Sequence, residues 1–207
     1  MTLSDKAYHL IKHKIVTLEL PPSSLIDEQQ LTEELGIGRT PVREALRQLA
    51  AEKLVTIVPR RGAFVADISI TDLQKLFEVR AMLEGFCARL AVQRITLDQI
   101  AQMEVILQDM EKVENGNTRA LMDIDERFHG LLYQAADNEF LAEELNRLYD
   151  LSLRLWHLAL NSMGDVQDTI EQHREIAEAL KANDEAQTEL LIRQHVTQFQ
   201  QKIRAVL

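Results

Sequence analysis

The stretch EELGIGRTPVREALRQLAAEKLVTIVPRRGAFV, residues 33–65, decides the fold of the N-terminal part of this 207-residue chain. Its first half predicts a helix over residues 40–52, with Pro41 in the first turn, where proline is tolerated. Two β-rich runs within residues 55–65 then flank a Pro-Arg-Arg-Gly turn, which is typical of a β-hairpin. The N-terminal part therefore contains a helix followed at once by a basic-tipped hairpin.

Two further helices are predicted before this stretch. Apolar residues recur at spacings of three and four over residues 5–18, and the Pro-Pro pair that follows ends this helix. A short second helix is predicted over residues 28–35. Three helices and a hairpin, in this order, predict a winged helix-turn-helix domain over residues 1–66, with the hairpin as its wing.

The third predicted helix separates apolar side chains from arginines. Its apolar stripe consists of Val42, Ala45, Leu46 and Leu49, and its basic face consists of Arg39, Arg43 and Arg47. A recognition helix needs this division, because one face packs on the domain while the other offers guanidinium groups to base edges or phosphates. Thr40 lies beside the arginines, where it caps the helix or bonds a phosphate. Alternatively, the arginines form a solvent-exposed face that does not contact DNA.

Charge is divided unevenly along the chain, whose net charge is −10 at pH 7. Residues 1–66 hold 9 Lys/Arg against 8 Asp/Glu (+1), whereas residues 67–207 hold 14 against 25 (−11). Between Arg39 and Arg61 there are 6 basic and 2 acidic residues (+4). A local positive surface can steer DNA although the whole chain is acidic. The asymmetry favours two domains with different partners.

Composition indicates a globular protein without membrane contact. Hydrophobic residues make up 46% and charged residues 27% of the chain, a balance that is ordinary for globular proteins and argues against disorder. No apolar run approaches the roughly 18–20 residues of a membrane span, and the N-terminus lacks the pattern of a secretory signal. The one cysteine, Cys87, cannot form an internal disulfide. We expect a cytoplasmic protein.

The C-terminal part shows only helical periodicity. A linker over residues 67–70 precedes an all-α antiparallel bundle over residues 71–207, so the fold class is mostly α. Thr-x-x-Gln and Asp-x-x-Gln patterns predict caps at two helix starts, at Thr96 and Asp184. The predicted helices cover residues 71–95, 97–115, 118–136, 139–161, 166–182 and 185–205.

Three histidines and an aspartate of the bundle form a candidate metal site. Asp125 and His129 are spaced i, i+4 and therefore share one helix face, while His173 and His195 lie on later helices. Three imidazoles and a carboxylate suit Zn²⁺, with Ni²⁺ as the alternative, and leave positions open for water or ligand. Taken singly, each histidine is also compatible with a surface or core position, because the sequence does not reveal convergence in space.

Residues 33–49 and 60–65 resemble the DNA-binding head of the GntR family of regulators. The resemblance implies that the third helix contacts DNA and that the wing-tip glycine and the arginine before it reach the minor groove. Gln29 and Gly38 depart from the family pattern, which often has arginine at the first position and serine or threonine at the second. The implied DNA-binding residues are Arg39, Thr40, Arg43, Arg61 and Gly62, to which the periodicity adds Arg47.

The C-terminal part is similar to the FCD effector domain of the FadR branch of this family. Its helix count and short length resemble the six-helix, VanR-like variety. An Asp-x-x-x-His motif followed by two separated histidines is the metal signature of that domain, and the resemblance implies that it is matched here by Asp125, His129, His173 and His195.

The resemblance also implies an effector-binding role for Arg80. A guanidinium opposite a metal would clamp a carboxylate. An ion pair with Glu84, four residues further on, is the alternative. Arg154 is a second candidate for the effector-binding role.

These observations predict a homodimeric regulator that binds a palindromic operator in double-stranded DNA, and the resemblance to the GntR family implies that it is a repressor. We expect a small carboxylate effector to change the affinity of this repressor for its operator. In one alternative the metal itself is the signal. In another the metal activates water in a hydrolase. No paired general base, nucleophile motif or glycine-rich phosphate loop accompanies the histidines, so no enzyme activity is expected.

Overall fold

The computed structural model describes residues 1–114, 117–159 and 167–207. The chain divides into two compact units. Unit 1 comprises Met1–Ser69 and Asp150–Leu158, and unit 2 comprises Ile70–Tyr149 and Ala159–Leu207. Residues 150–158 therefore group with the N-terminal part, whereas the sequence placed them in the C-terminal domain. The predicted helix ends at residues 115, 161 and 166 fall outside the described residues.

Unit 1 has the element order of a winged helix-turn-helix. Its helices and strands are α1 (Leu3–Val16), β1 (Leu25–Ile26), α2 (Glu28–Leu35), α3 (Arg39–Ala51), β2 (Val55–Val58) and β3 (Gly62–Val65). The three strands form an antiparallel sheet in the order β1-β3-β2. The sequence missed β1, because a two-residue strand is too short to show an alternating pattern.

The helix starts in unit 1 follow their capping residues. The Thr2 hydroxyl accepts the backbone N–H of Asp5, which in turn accepts the N–H of Thr2, so α1 begins two residues earlier than predicted. The N-cap of α3 is Gly38, which has no side chain to cap with. The suggestion that Thr40 caps α3 is therefore wrong, since Thr40 already lies inside the helix.

The predicted apolar stripe of α3 is confirmed as part of the core of unit 1. It packs with α1 and the sheet, and its opposite face remains exposed. The buried valine and leucine side chains of this stripe each contribute about 1.5–3 kcal/mol by leaving water. The buried residues of the two helices are Ala7, Tyr8, Ile11, Ile15 and Val16 on α1 and Val42, Ala45, Leu46 and Leu49 on α3.

The described residues from 70 onward form helices only. They are α4 (Ile70–Arg94), α5 (Leu97–Glu111), α6 (Thr118–Ala135), α7 (Glu139–Ala159), α8 (Gln167–Lys181) and α9 (Glu185–Val206). The predicted caps are confirmed, because Thr96 accepts the N–H of Gln99 and Asp184 accepts the N–H of Gln187. The chain as a whole is mostly helical, as expected.

Helices α4 and α9 pack closely against each other in unit 2. A Cβ added at Gly85 on α4 would lie 2.8 Å from the Cγ and Cδ atoms of Arg193 on α9, so a larger residue here would require the Arg193 side chain to shift. Apolar side chains fill the space between these helices and α6 and α8. Within the described ranges, no helix has the length and apolar character needed to cross a membrane.

Candidate metal centre and DNA-binding surface

Three helices of unit 2 bring the predicted metal ligands together. Asp125 and His129 lie on α6, His173 on α8 and His195 on α9. One ligand atom from each lies within 4.8 Å of the others, and all four residues are buried. The sequence predicted the membership of this group but not its convergence. We call these four residues the His/Asp group.

The distances within the His/Asp group fit a single bound cation. His129 Nε2 lies 3.3 Å from His195 Nε2, and His173 Nε2 lies 3.1 Å from Asp125 Oδ1. Metal–nitrogen and metal–oxygen bonds of about 2.0–2.2 Å place neighbouring ligand atoms about 3–3.5 Å apart. The contact of His173 Nε2 with Asp125 does not have the geometry of a hydrogen bond, and this buried Nε2 has no hydrogen-bond partner in the part of the chain that the structure describes. Such an atom retains a lone pair for a metal.

Each histidine of the group turns its other ring nitrogen, Nδ1, toward an oxygen that can only accept a proton. Such an acceptor selects the Nδ1–H tautomer and leaves Nε2 as a metal ligand, which is the usual arrangement around bound metals. The contacts are His129 Nδ1 to Glu84 Oε2 at 2.9 Å, His173 Nδ1 to Thr169 O at 2.6 Å, and His195 Nδ1 to Gln172 Oε1 at 2.9 Å.

Burial and neighbouring charges keep these ligands in metal-binding form. Burial raises the pKa of Asp125, but the surrounding histidines, His129 foremost, bring it well below its ordinary value. Burial lowers the pKa of His195 far below its ordinary value, and His173 and His129 lower it further. The group therefore holds a carboxylate and a neutral imidazole, which are the protonation states that bind a divalent cation.

Arg80 forms the ion pair that the sequence offered as the alternative to effector binding. Its Nε donates to Glu84 Oε1 at 2.5 Å, and Tyr133 OH donates to the same oxygen at 2.9 Å. Burial raises the pKa of Glu84, but Arg80 and His129 lower it more, to about 2. Glu84 is therefore ionised. The effector contact of Arg80 stays a prediction.

Arg80 reaches the His/Asp group by a second route through Tyr149. The guanidinium carbon lies 4.8 Å from the centre of the Tyr149 ring, a cation–π distance. The Tyr149 hydroxyl donates to Asp125 Oδ2 at 2.6 Å. Arg80 thus contacts one residue that faces His129 and another that is bonded to Asp125.

Arg154 has a structural partner in unit 1. Its Nη2 donates to the backbone carbonyl of Ala66 at 2.5 Å, and burial lowers its pKa to about 10. This hydrogen bond fixes the backbone at Ala66, the residue that follows strand β3 of the wing. An effector contact by Arg154 stays a prediction.

The predicted DNA-binding residues are all exposed on unit 1. Those of the third helix project from the face opposite its apolar stripe, and Arg61 and Gly62 lie at the wing turn. Gly62 has φ +105°, a conformation that residues with a Cβ rarely adopt. Arg43 Nε lies 2.7 Å from Glu28 Oε2 on α2, with 60% of the arginine side chain exposed. The sequence did not predict this pair.

The sequence does not predict the polar residues that surround the His/Asp group. From the sequence, Glu84 is expected only as a partner of Arg80, and no role is expected for Tyr149, Thr169 or Gln172. One signal was present: Arg80 and Glu84 interrupt an apolar face of α4 that continues through Phe77, Cys87, Ala88 and Ala91, all buried. A charged pair on a buried face needs partners inside the protein.

A winged helix-turn-helix with an exposed arginine face, in one chain with a helical unit enclosing buried polar residues, defines a DNA-binding transcriptional regulator. Two family descriptions match the chain, "Bacterial regulatory proteins, gntR family" over residues 3–65 and "FCD domain" over residues 75–198. The chain belongs to the GntR family, with an FCD domain in its C-terminal part.

Similar proteins extend over nearly the whole chain. The HTH-type transcriptional repressor GlaR of Escherichia coli (strain K12) is 30% identical over 206 residues, covering 95% of this chain and 94% of GlaR. The HTH-type transcriptional repressor RspR of the same organism is 26% identical over 205 residues, covering 99% and 90%. These families and relatives are transcriptional regulators, so this chain is a regulator and not an enzyme.

The fold is shared with a solved structure. That of E. coli McbR/YncC matches with a TM-score of 0.89 at 22% identity, covering 99% of this chain and 98% of the other. At this identity the likeness concerns the fold alone.

Proposed function

We propose that this regulator is a homodimeric repressor whose FCD domain holds a divalent metal ion and responds to a small carboxylate. The observation that carries the proposal is the buried His/Asp group, with its Nε2 atoms turned inward and its Nδ1 atoms turned toward acceptors. Such an arrangement is costly to bury without a cation, because facing lone pairs and a carboxylate repel one another. The ligand types favour Zn²⁺, and Ni²⁺ also suits them.

The metal would be held by Asp125, His129, His173 and His195. A bound divalent ion supplies positive charge and open coordination positions to an anionic oxygen. The protein itself supplies a second cation in Arg80, whose Nε is engaged by Glu84. Among the described residues, no hydrogen bond engages the terminal guanidinium nitrogens of Arg80, which favours a carboxylate as their ligand.

The DNA-binding part of the proposal rests on unit 1. The exposed arginines of α3 enter a major groove, and the wing turn at Arg61 and Gly62 enters the neighbouring minor groove. Two copies related by twofold symmetry then bind a palindromic operator. The helices α4–α9 of the described residues support the six-helix, VanR-like variety of the FCD domain.

Regulation requires that the effector distinguish two states of the protein. A carboxylate that binds the DNA-free state of the protein more tightly than the DNA-bound state releases the operator. The loss of free energy of operator binding then equals the difference between the effector's binding free energies for the two states. The metal is then a permanent part of the effector site. In the competing proposal the metal is itself the signal, and operator affinity depends on its occupancy alone.

The test combines metal analysis, ligand screening and DNA binding. Metal-loaded protein is screened by thermal shift against small mono- and dicarboxylic acids, with and without a chelator, since a micromolar ligand at millimolar concentration is visible. We expect a hit that disappears with chelator and that weakens operator binding. His129→Ala/His173→Ala should bind operator and lose the response. A full response in this double variant would overturn the metal-anchored proposal.

His9→Ala is the matched control, because His9 is an exposed histidine on α1. It should retain both metal and response. If operator binding follows metal occupancy and no carboxylate has an effect, the metal-signal alternative is correct.

A further inference from the structure

Glu84 is a buried carboxylate that contacts both halves of the proposed effector site. Its side chain is fully buried on α4. One oxygen, Oε1, accepts from Arg80 and from Tyr133. The other, Oε2, lies 2.9 Å from His129 Nδ1. The Glu84 carboxylate therefore contacts both the Arg80 guanidinium, which would bind the effector, and the His129 imidazole, which would bind the metal.

In the second contact, Glu84 Oε2 and His129 Nδ1 face each other. Glu84 Oε2 and His129 Nδ1 are both buried, and in the described ranges neither has a further hydrogen-bond partner. A buried acceptor or donor without a partner pays its desolvation cost without compensation, so a proton on Nδ1 that faces this oxygen is favoured. A proton on Nδ1 leaves Nε2 of the neutral ring unprotonated. That Nε2 is the atom 3.3 Å from His195 Nε2.

We propose that Glu84 is a positioning residue that selects the metal-binding tautomer of His129 and at the same time holds Arg80 in place. This inference rests on the proposed function, because it assigns a role toward the metal and the effector of that site. It makes metal affinity and effector affinity depend on one carboxylate. Carboxylates behind metal-bound histidines typically contribute a factor of about 10–100 in metal affinity.

Replacement by glutamine has a specific consequence. Arg80 Nε and Tyr133 OH are both donors, so they retain the amide oxygen of Glu84→Gln and turn its NH₂ group toward His129. An NH₂ group needs an acceptor, so it selects the tautomer with a bare Nδ1 and a proton on Nε2. That proton occupies the metal-facing position. We expect Glu84→Gln to weaken Zn²⁺ binding about 10–100-fold.

The matched control is Glu78→Gln, which makes the same change of charge at an exposed position of the same helix. It should bind Zn²⁺ as the wild type does. A direct readout is the ¹⁵N spectrum of the histidine side chains in metal-free protein at constant pH. His129 should carry its proton on Nδ1 in the wild type and on Nε2 in Glu84→Gln, and a merely structural role would not move that proton.

A second pair of variants avoids leaving Arg80 buried without its partner. In Arg80→Met/Glu84→Gln, the amide oxygen is free to face His129, and Tyr133 OH accepts from the NH₂ group. In Arg80→Met/Glu84→Leu, no acceptor faces His129. Both lack the ion pair and have similar volume, so they differ in the polar contacts of residue 84 to His129 and to Tyr133 OH.

The experiment measures the Zn²⁺ dissociation constant of each full-length variant by chelator competition, with thermal midpoints as the folding control. We expect Arg80→Met/Glu84→Gln to bind at least 10-fold more tightly than Arg80→Met/Glu84→Leu. Equal affinities in that pair, or an unshifted His129 proton in Glu84→Gln, would overturn the inference. If the wild type binds no Zn²⁺ or Ni²⁺, the proposed function fails instead, and the tautomer of His129 in metal-free protein still decides the role of Glu84.

Discussion

His129 and His195 face each other through their Nε2 atoms, 3.3 Å apart, in the buried interior of the FCD domain. Their Nδ1 atoms point away, toward Glu84 and Gln172. With a proton on each Nδ1, neither Nε2 can donate to the other, so two lone pairs oppose one another. A cation between them converts this repulsion into two bonds, and the folded state should therefore gain stability from the metal.

Metal removal is the first prediction from this relationship. At a Zn²⁺ concentration 100 times the dissociation constant, binding stabilises the folded state by about 2.7 kcal/mol. For a chain of this size, that corresponds to a rise of about 5–10 °C in the thermal midpoint. Scanning calorimetry with and without a chelator measures the difference. His173→Ala should show no dependence on the chelator, and a chelator effect of unchanged size in that variant would place the metal elsewhere.

Arg43→Ala tests the recognition helix. Arg43 is held at the surface of α3 by Glu28, which orients the guanidinium without burying it. Its loss should weaken binding to an operator obtained by in vitro selection about 10-fold or more, at fixed salt concentration, while the thermal midpoint stays unchanged. A gel-shift titration measures the affinity. The control is Arg127→Ala, an exposed arginine paired with Asp109 in the FCD domain, and an equal loss of affinity in both variants would contradict the assignment.

Gly62→Ala tests the wing turn. The residue has φ +105°, and an added Cβ would lie 3.3 Å from Leu25 Cδ1 on β1. We expect a loss of about 1–3 kcal/mol in the free energy of unfolding, because the backbone conformation is strained for any residue with a Cβ. Denaturant titration measures it. Gly38→Ala is the control, since Gly38 has φ −62° and its added Cβ would make only an ordinary contact with Pro41.

Arg154→Met separates a structural role from an effector contact. The substitution leaves the carbonyl of Ala66 without its donor, which should cost about 1–3 kcal/mol in the free energy of unfolding. Calorimetry measures this loss, and titration with the effector found by screening measures ligand affinity. We expect the stability to fall and the effector affinity to stay within about twofold of the wild type, since a structural hydrogen bond does not touch the ligand. A large loss of effector affinity at unchanged stability would instead make Arg154 part of the effector site.

Most of the fold could be predicted from the sequence because each helix carries its own apolar stripe and often its own cap. The structure confirms α2 over residues 28–35 and the caps at Thr96 and Asp184. The two-residue strand β1 could not be predicted, since it exists only through pairing with β3. Helix α1 begins two residues before the predicted start, because Thr2 and Asp5 form a capping box there.

The candidate site was predictable in its members and not in its geometry. Asp125 and His129 share a helix face by spacing, but their approach to His173 and His195 depends on how three helices pack. Periodicity gives the face that each helix buries and not the partner it meets. The double contact of Glu84 was missed for the same reason, because His129 lies 45 residues further along the chain.

Helix α7 contributes residues to both units, which limits where the chain can be cut without loss of contacts. Its residues 150–158 group with the DNA-binding unit, where Asp150 pairs with Lys12 of α1 and Arg154 donates to Ala66. In a fragment that stops after the wing, Lys12 loses its carboxylate partner and keeps the bond to Tyr8 OH, while the Ala66 carbonyl loses its donor. The DNA-binding unit is therefore not one continuous stretch of the sequence, and the head excised at residue 69 should melt at a lower temperature than it does in the intact chain.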